Sequence, residues 1–193
     1  MTRRLLLFCV LLTAWGKNLS ASTATAEKRL QVAIKNVLDI AQSAPSDSAL
    51  AESIGPVLEK YLSFSAMTRR AVGPGWRQFS KGDQNEAIRL FTTLIIRTYS
   101  KKLTPGEYPV IKFKTATAPA PGRVDVPTTL LYRGSTYNVT YRMEQDEGWR
   151  VTDVVIEGVS LIANYRTQFD AQFKKGGAGA VISSLTQSVA RPQ

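Results

Sequence analysis

The stretch from Trp149 to Ile156 alternates with the two-residue period of a strand, and the alternation sets Asp153 on one face with Trp149, Val151 and Val155. A carboxylate among such neighbours has two roles open to it. It can serve as a general base on a small substrate, as in isomerases and dehydratases built on cone-shaped folds. It can also be structural, paired with an arginine or with backbone N–H groups at the Gly158–Ser160 turn. The residues favour the second role, because the usual companions of a base are missing. No histidine occurs in the chain, and its single cysteine is Cys9. The common general base, metal ligand and pH switch are therefore absent. No glycine-rich phosphate loop or metal-ligand spacing is present, so no catalytic residue, metal or cofactor is expected. Tyr99, Tyr141 and Tyr165 can line a cavity or fill core.

The elements that would position these groups can be read from periodicity. Leu30, Ala33, Ile34, Val37, Leu38 and Ala41 form one apolar stripe, which predicts a helix from Glu27 to Gln42. Ser43 to Ser48 reads as a loop. A shorter helix follows over Ala49 to Tyr61, interrupted at Gly55-Pro56, and another over Phe64 to Val72, ended by Gly73-Pro74-Gly75. Ser80 and Asp83 resemble a capping box opening a long helix that Pro105 closes. Four strands are expected around Ile111–Thr115, Val124–Tyr132, Tyr137–Met143 and Trp149–Val155, with turns at Arg133-Gly134-Ser135 and Asp146-Glu147-Gly148 and a longer loop over Ala116 to Gly122. After Gly158 the period changes: Ile162, Tyr165, Phe169 and Phe173 recur at helical spacing. Two last helices run from Ser160 to Lys174 and from Ala178 to Val189, separated at Gly176-Gly177. The class is α+β, an antiparallel sheet of about four strands packed against N- and C-terminal helices.

The first residues carry a destination. Arg3 and Arg4 precede the apolar run Leu5 to Leu12, and the following polar stretch ends in Ala24-Thr25-Ala26. That is the plan of a cleaved secretory signal, residues 1–26, with cleavage after Ala26 preferred to cleavage after Ala24. The run is too short to span about 30 Å of hydrocarbon. Residues 27–193 then form one domain without cysteine, carrying 22 basic side chains against 15 acidic, a net +7. An exported protein meets little nucleic acid, so none is expected as partner. Anionic lipid headgroups and acidic proteins are the alternatives, besides solubility alone.

Several motifs resemble those of the MlaC-like, or toluene-tolerance, family of ABC-transporter auxiliary proteins. The family pattern W-x-V-x-D-V-x-I-x-G-V-S-L followed by N-Y-R-x-x-F is matched from Trp149 to Leu161 and by Asn164, Tyr165, Arg166 and Phe169. Phe64, Met67, Arg69, Gly73 and Trp76 are similar to a second element, and Phe91, Leu94, Arg97-Thr98-Tyr99 and Leu103 to a third. Ser63 departs from the family, which often carries Asp there. The resemblance implies a nuclear-transport-factor-like cone. It also implies a periplasmic shuttle that takes phospholipid between an inner-membrane ABC transporter complex and an outer-membrane lipoprotein complex, maintaining outer-membrane asymmetry. A related branch is linked to hopanoid lipids. A non-enzyme of this kind needs an apolar cavity, because an acyl chain of about 16 carbons costs on the order of 13 kcal/mol to place in water at about 0.8 kcal/mol per methylene. Phe91, Leu94, Ile95, Tyr99, Tyr141, Val151 and Tyr165 are the candidate walls. Arg69, Arg70, Arg166, Lys174 and Lys175 are the candidates for docking on partners. The rival readings are a small-molecule enzyme with Asp153 as base and an envelope adaptor that binds protein only.

Overall fold

The computed structural model describes residues 5–100 and 109–191, giving only the backbone for 5–21 and for Asp47 and Ser48. Helix α1 (Leu5–Ser43) leads into α2 (Asp47–Tyr61), α3 (Phe64–Val72), a 3₁₀ turn (Gly73–Gln78) and α4 (Lys81–Ser100). Strands β1 (Val110–Phe113), β2 (Thr117–Ala120), β3 (Arg123–Tyr132), β4 (Ser135–Asp146), β5 (Gly148–Ile156) and β6 (Val159–Ser160) follow, and α5 (Leu161–Ala190) ends the chain. Each strand pairs antiparallel with its neighbour in the order β1-β3-β4-β5-β6, and β2 also pairs with β3. The architecture is α+β, as the pattern of elements predicts. Lys102, Leu103 and Pro105, assigned to the end of the long helix, lie outside the described residues.

Local chemistry explains most boundaries. Ser46 caps α2, its side chain accepting from the Ala49 N–H at 3.2 Å. The Ser80–Asp83 capping box forms: Ser80 Oγ accepts from Asp83 N–H at 3.1 Å, and Asp83 Oδ2 accepts from Ser80 N–H at 3.3 Å. The Gly176-Gly177 break is a kink inside α5, with Gly177 at φ 61°, ψ −147°, a conformation open essentially to glycine alone.

Four expectations are corrected. The helix expected over Glu27 to Gln42 is part of the longer α1, Leu5–Ser43. The Gly55-Pro56 interruption is absent, and α2 continues through Pro56. Proline removes one helical hydrogen bond, but Leu50 and Ile54 before it are buried against Ala41 of α1 and Leu58 after it packs on the same cluster, so both halves are anchored. The loop Ala116–Gly122 contains β2, and with β6 the sheet has six strands instead of four. Finally, β5 carries a bulge. Arg142 of β4 faces Asp153 while Met143 faces Val151, so Thr152 is an extra residue. The alternation reverses there, and Asp153 lies on the face opposite Val151.

The two faces of the sheet therefore differ. One carries Val124, Val126, Met143, Trp149 and Val151, packed against Ala26 and Leu30 of α1. The other carries Arg142 and Asp153. A second core joins α3, α4 and α5 around Met67, Phe91 and Phe169. The linker between α2 and α3 is fixed to the sheet by the Ser63 N–H, which donates to the Val151 carbonyl at 2.9 Å. Among the described residues no helix is long and apolar enough to cross a membrane.

Candidate functional site

An apolar chamber of about 280 Å³ lies between the sheet and the helices. Helix α1 supplies Leu30, Ala33, Ile34, Val37 and Leu38, and α4 supplies Ile95 and Tyr99. The sheet contributes Ile111 of β1, Leu130 of β3, Val139 and Tyr141 of β4, and Val151, Val154 and Ile156 of β5. Among the described residues, the two tyrosines carry the only polar side-chain atoms on this wall apart from the Met67 sulfur. Burial pushes the Tyr141 phenol up to about 12. Tyr99 is also raised, by burial first and by Tyr165 second. The wall opens where Ile156, 37 % exposed, stands at the end of β5. A dry cavity of this kind excludes charge and accepts hydrocarbon.

The candidate wall residues divide. Ile95, Tyr99, Tyr141 and Val151 line the chamber. Phe91, Leu94 and Tyr165 do not, and lie in the helical core under α5. Phe91 meets Tyr165 edge-on at 4.9 Å between ring centres and Phe169 at 5.6 Å. The Tyr165 phenol is raised by burial, opposed by a hydrogen bond with Thr98. These rings join the helices to one another; Phe91 and Phe169 are buried and Tyr165 is half-buried beside them. The stripe of α1 was legible as a helix face, but nothing in its spacing assigned it to a cavity.

A second concavity, about 490 Å³, lies behind β5 and is charged. Arg70 and Arg123 both pair with Glu144, and Arg142 pairs with Asp153 at 3.1 Å. Asp153 is spent on structure. Its Oδ2 accepts from Ser160 Oγ at 2.7 Å, and its Oδ1 accepts from the Ile162 N–H at 3.1 Å. Ser160 Oγ in turn accepts from the Ala163 N–H at 3.0 Å. The two side chains together cap α5.

The basic candidates do not form one patch. Arg70 and Arg166 line the charged cleft, and a Cβ on Gly73 would fall 2.8 Å from the Arg166 guanidinium carbon. Arg69 is exposed on α3. Lys174 is paired with Asp170 at 2.7 Å, and Lys175 is exposed beside it.

The sequence model of the MlaC protein family matches residues 29–187. The chain belongs to the MlaC family. A solved structure with the same fold is that of a phospholipid-binding protein from Ralstonia solanacearum, in complex with a phospholipid. It superposes with a TM-score of 0.75 at 24% sequence identity, covering 88% of this chain and 97% of that one. Comparison with curated proteins gives no match. The MlaC match takes in every chamber-lining residue, since these run from Leu30 to Leu161.

Proposed function

We propose that this protein binds phospholipid, with acyl chain in the chamber and headgroup at its mouth. It would act as a periplasmic shuttle between an inner-membrane ABC transporter complex and an outer-membrane lipoprotein complex. The observation that carries the reading is the chamber itself: about 280 Å³ of apolar space inside a fold of this family, with two phenols and one thioether sulfur as the only polar side-chain atoms among the described residues. Each methylene moved from water into such space gains about 0.8 kcal/mol. Membership of the MlaC family and the phospholipid seen in the Ralstonia structure support it. Asp153, the base of the enzyme reading, caps α5 from the face opposite the chamber, which speaks against that reading.

Mass spectrometry of lipid extracted from the purified protein tests this. Phospholipid is expected to copurify, and the double substitution of Ile34 and Val154 by Trp should remove most of it while the protein stays folded. Full lipid content in that variant would place the ligand elsewhere.

Export is part of the proposal. Ala26 is fully buried against the sheet, so cleavage after Ala24 keeps a packed side chain that cleavage after Ala26 discards. N-terminal sequencing of the exported protein distinguishes the two. Docking would be electrostatic and brief, using the exposed Arg69 and Lys175. Reversing both charges should slow lipid transfer to partner complexes without lowering bound lipid.

A further inference from the structure

Tyr141 is the one residue on the sheet side of the chamber with a hydrogen-bonding side chain. Its hydroxyl makes no hydrogen bond among the described residues, and burial is the sole cause of its raised pKa. Its direct cross-strand neighbours are Val126 on β3 and Val154 on β5, both apolar, and the diagonal Thr128 spends its hydroxyl on the Val139 carbonyl at 3.0 Å. The half-buried phenol thus keeps its donor free for whatever occupies the chamber. Tyr141 lines the space a ligand would fill.

The position of the phenol narrows what that ligand presents. Val139 pairs with Ile156, the exposed residue at the open end of the wall. Tyr141 is one same-face step further in, roughly 7 Å along the strand. A single neutral donor in a dry wall cannot compensate an ionised phosphate or carboxylate, which needs paired charge or several donors. It can satisfy a neutral carbonyl. In a glycerophospholipid the oxygens that follow the tails inward, a few ångströms below the phosphate, are the ester carbonyls. Tyr99 on the facing helix is a weaker candidate, because its surroundings are shared with Tyr165.

We propose that the Tyr141 hydroxyl donates a hydrogen bond to an acyl ester carbonyl of the cargo, so that the chamber prefers ester-linked glycerolipids to lipids whose buried part lacks a carbonyl. The proposal rests on the chamber being the lipid site and adds the chemical class it selects. Polycyclic hydrocarbons and ether-linked lipids would leave the hydroxyl with no acceptor or a poorer one.

The test compares two phosphatidylglycerols of equal chain length, one with ester-linked and one with ether-linked chains, on delipidated protein and on Tyr141→Phe. Affinity is read by competition against a fluorescent acyl probe. The wild-type protein is expected to favour the ester lipid about fivefold to tenfold, the effect of one ordinary hydrogen bond. Tyr141→Phe, which keeps the ring in place, should bind both lipids alike, at the ether level of the wild type. Equal binding by the wild type, or a preference that survives in Tyr141→Phe, overturns the role of Tyr141 and leaves the chamber standing. If the wild-type protein binds neither lipid, the chamber reading falls and this proposal with it.

Discussion

Replacing Asp153 by asparagine should destabilise the fold without emptying the chamber. The carboxylate accepts from Ser160 Oγ and from the Ile162 N–H, and lies 3.1 Å from Arg142. Asparagine retains one acceptor oxygen. If that oxygen stays on the Ile162 N–H, the new NH₂ group faces the Arg142 guanidinium, which it cannot satisfy, and the Ser160 hydroxyl must turn from donating to accepting. Hydrogen bonds to a charged group are worth about 1.5–3 kcal/mol. The ion pair adds little, because the Arg142 side chain is 50% exposed and such pairs contribute about 1 kcal/mol or less. The expected loss is therefore about 2–3 kcal/mol. For a chain of this size each kcal/mol moves the melting temperature by about 2–4 °C, so calorimetry should record a fall of about 4–12 °C. Arg142→Gln serves as the control, with an expected fall of at most about 4 °C. Lipid bound per folded molecule should be unchanged in both. An unaltered melting temperature in Asp153→Asn refutes the cap, and an equal loss in Arg142→Gln assigns the stability to the ion pair instead.

Three further outcomes are expected. Leu94→Ala, in the helical core and off the chamber wall, should cost about 2–5 kcal/mol in chemical denaturation while copurified lipid per folded molecule persists. Gly177→Ala, at φ 61° with open space around it, should cost about 1–3 kcal/mol from backbone strain alone, read as a lowered melting temperature. Between pH 10 and about 12 the Tyr141 phenol ionises in the unfolded chain before it does in the fold, so its contribution to stability is whole below pH 10 and is lost as pH rises through that window, by up to about 1.4 kcal/mol per pH unit. Tyr141→Phe should lack this component when denaturation curves of the two proteins are compared across the window.

Much of the fold was legible because local rules and global packing agree. The stripe Leu30–Ala41, the Ser80–Asp83 box and the Gly176-Gly177 break each announce their structure within a few residues. The misses share a cause, which is that distant contacts decide them. Pro56 stays helical because Leu50, Ile54 and Leu58 are held from outside the segment. Strand β2 forms because β3 offers it an edge. The chamber wall was half legible. Ile95 and Phe91 lie on the same helix, and only the crossing of α4 with α5 and the sheet decides that Ile95 reaches the cavity while Phe91 is covered by Tyr165 and Phe169. The bulge at Thr152 left no trace, since Val154 and Val155 are both apolar and either can face inward.

That single extra residue separates two kinds of protein. With Thr152 bulged out of the ladder, Val154 and Ile156 complete a greasy wall while the acid beside them is turned outward to fasten a helix. Were Thr152 instead to take a regular place in the ladder, strict alternation would turn it outward and bring Asp153 round into the chamber, among tyrosines, as an ionisable group in a dry cavity. Such a cavity is a starting point for acid–base chemistry and a poor berth for hydrocarbon. On this scaffold the step from carrier toward catalyst is a register change of one position in one strand.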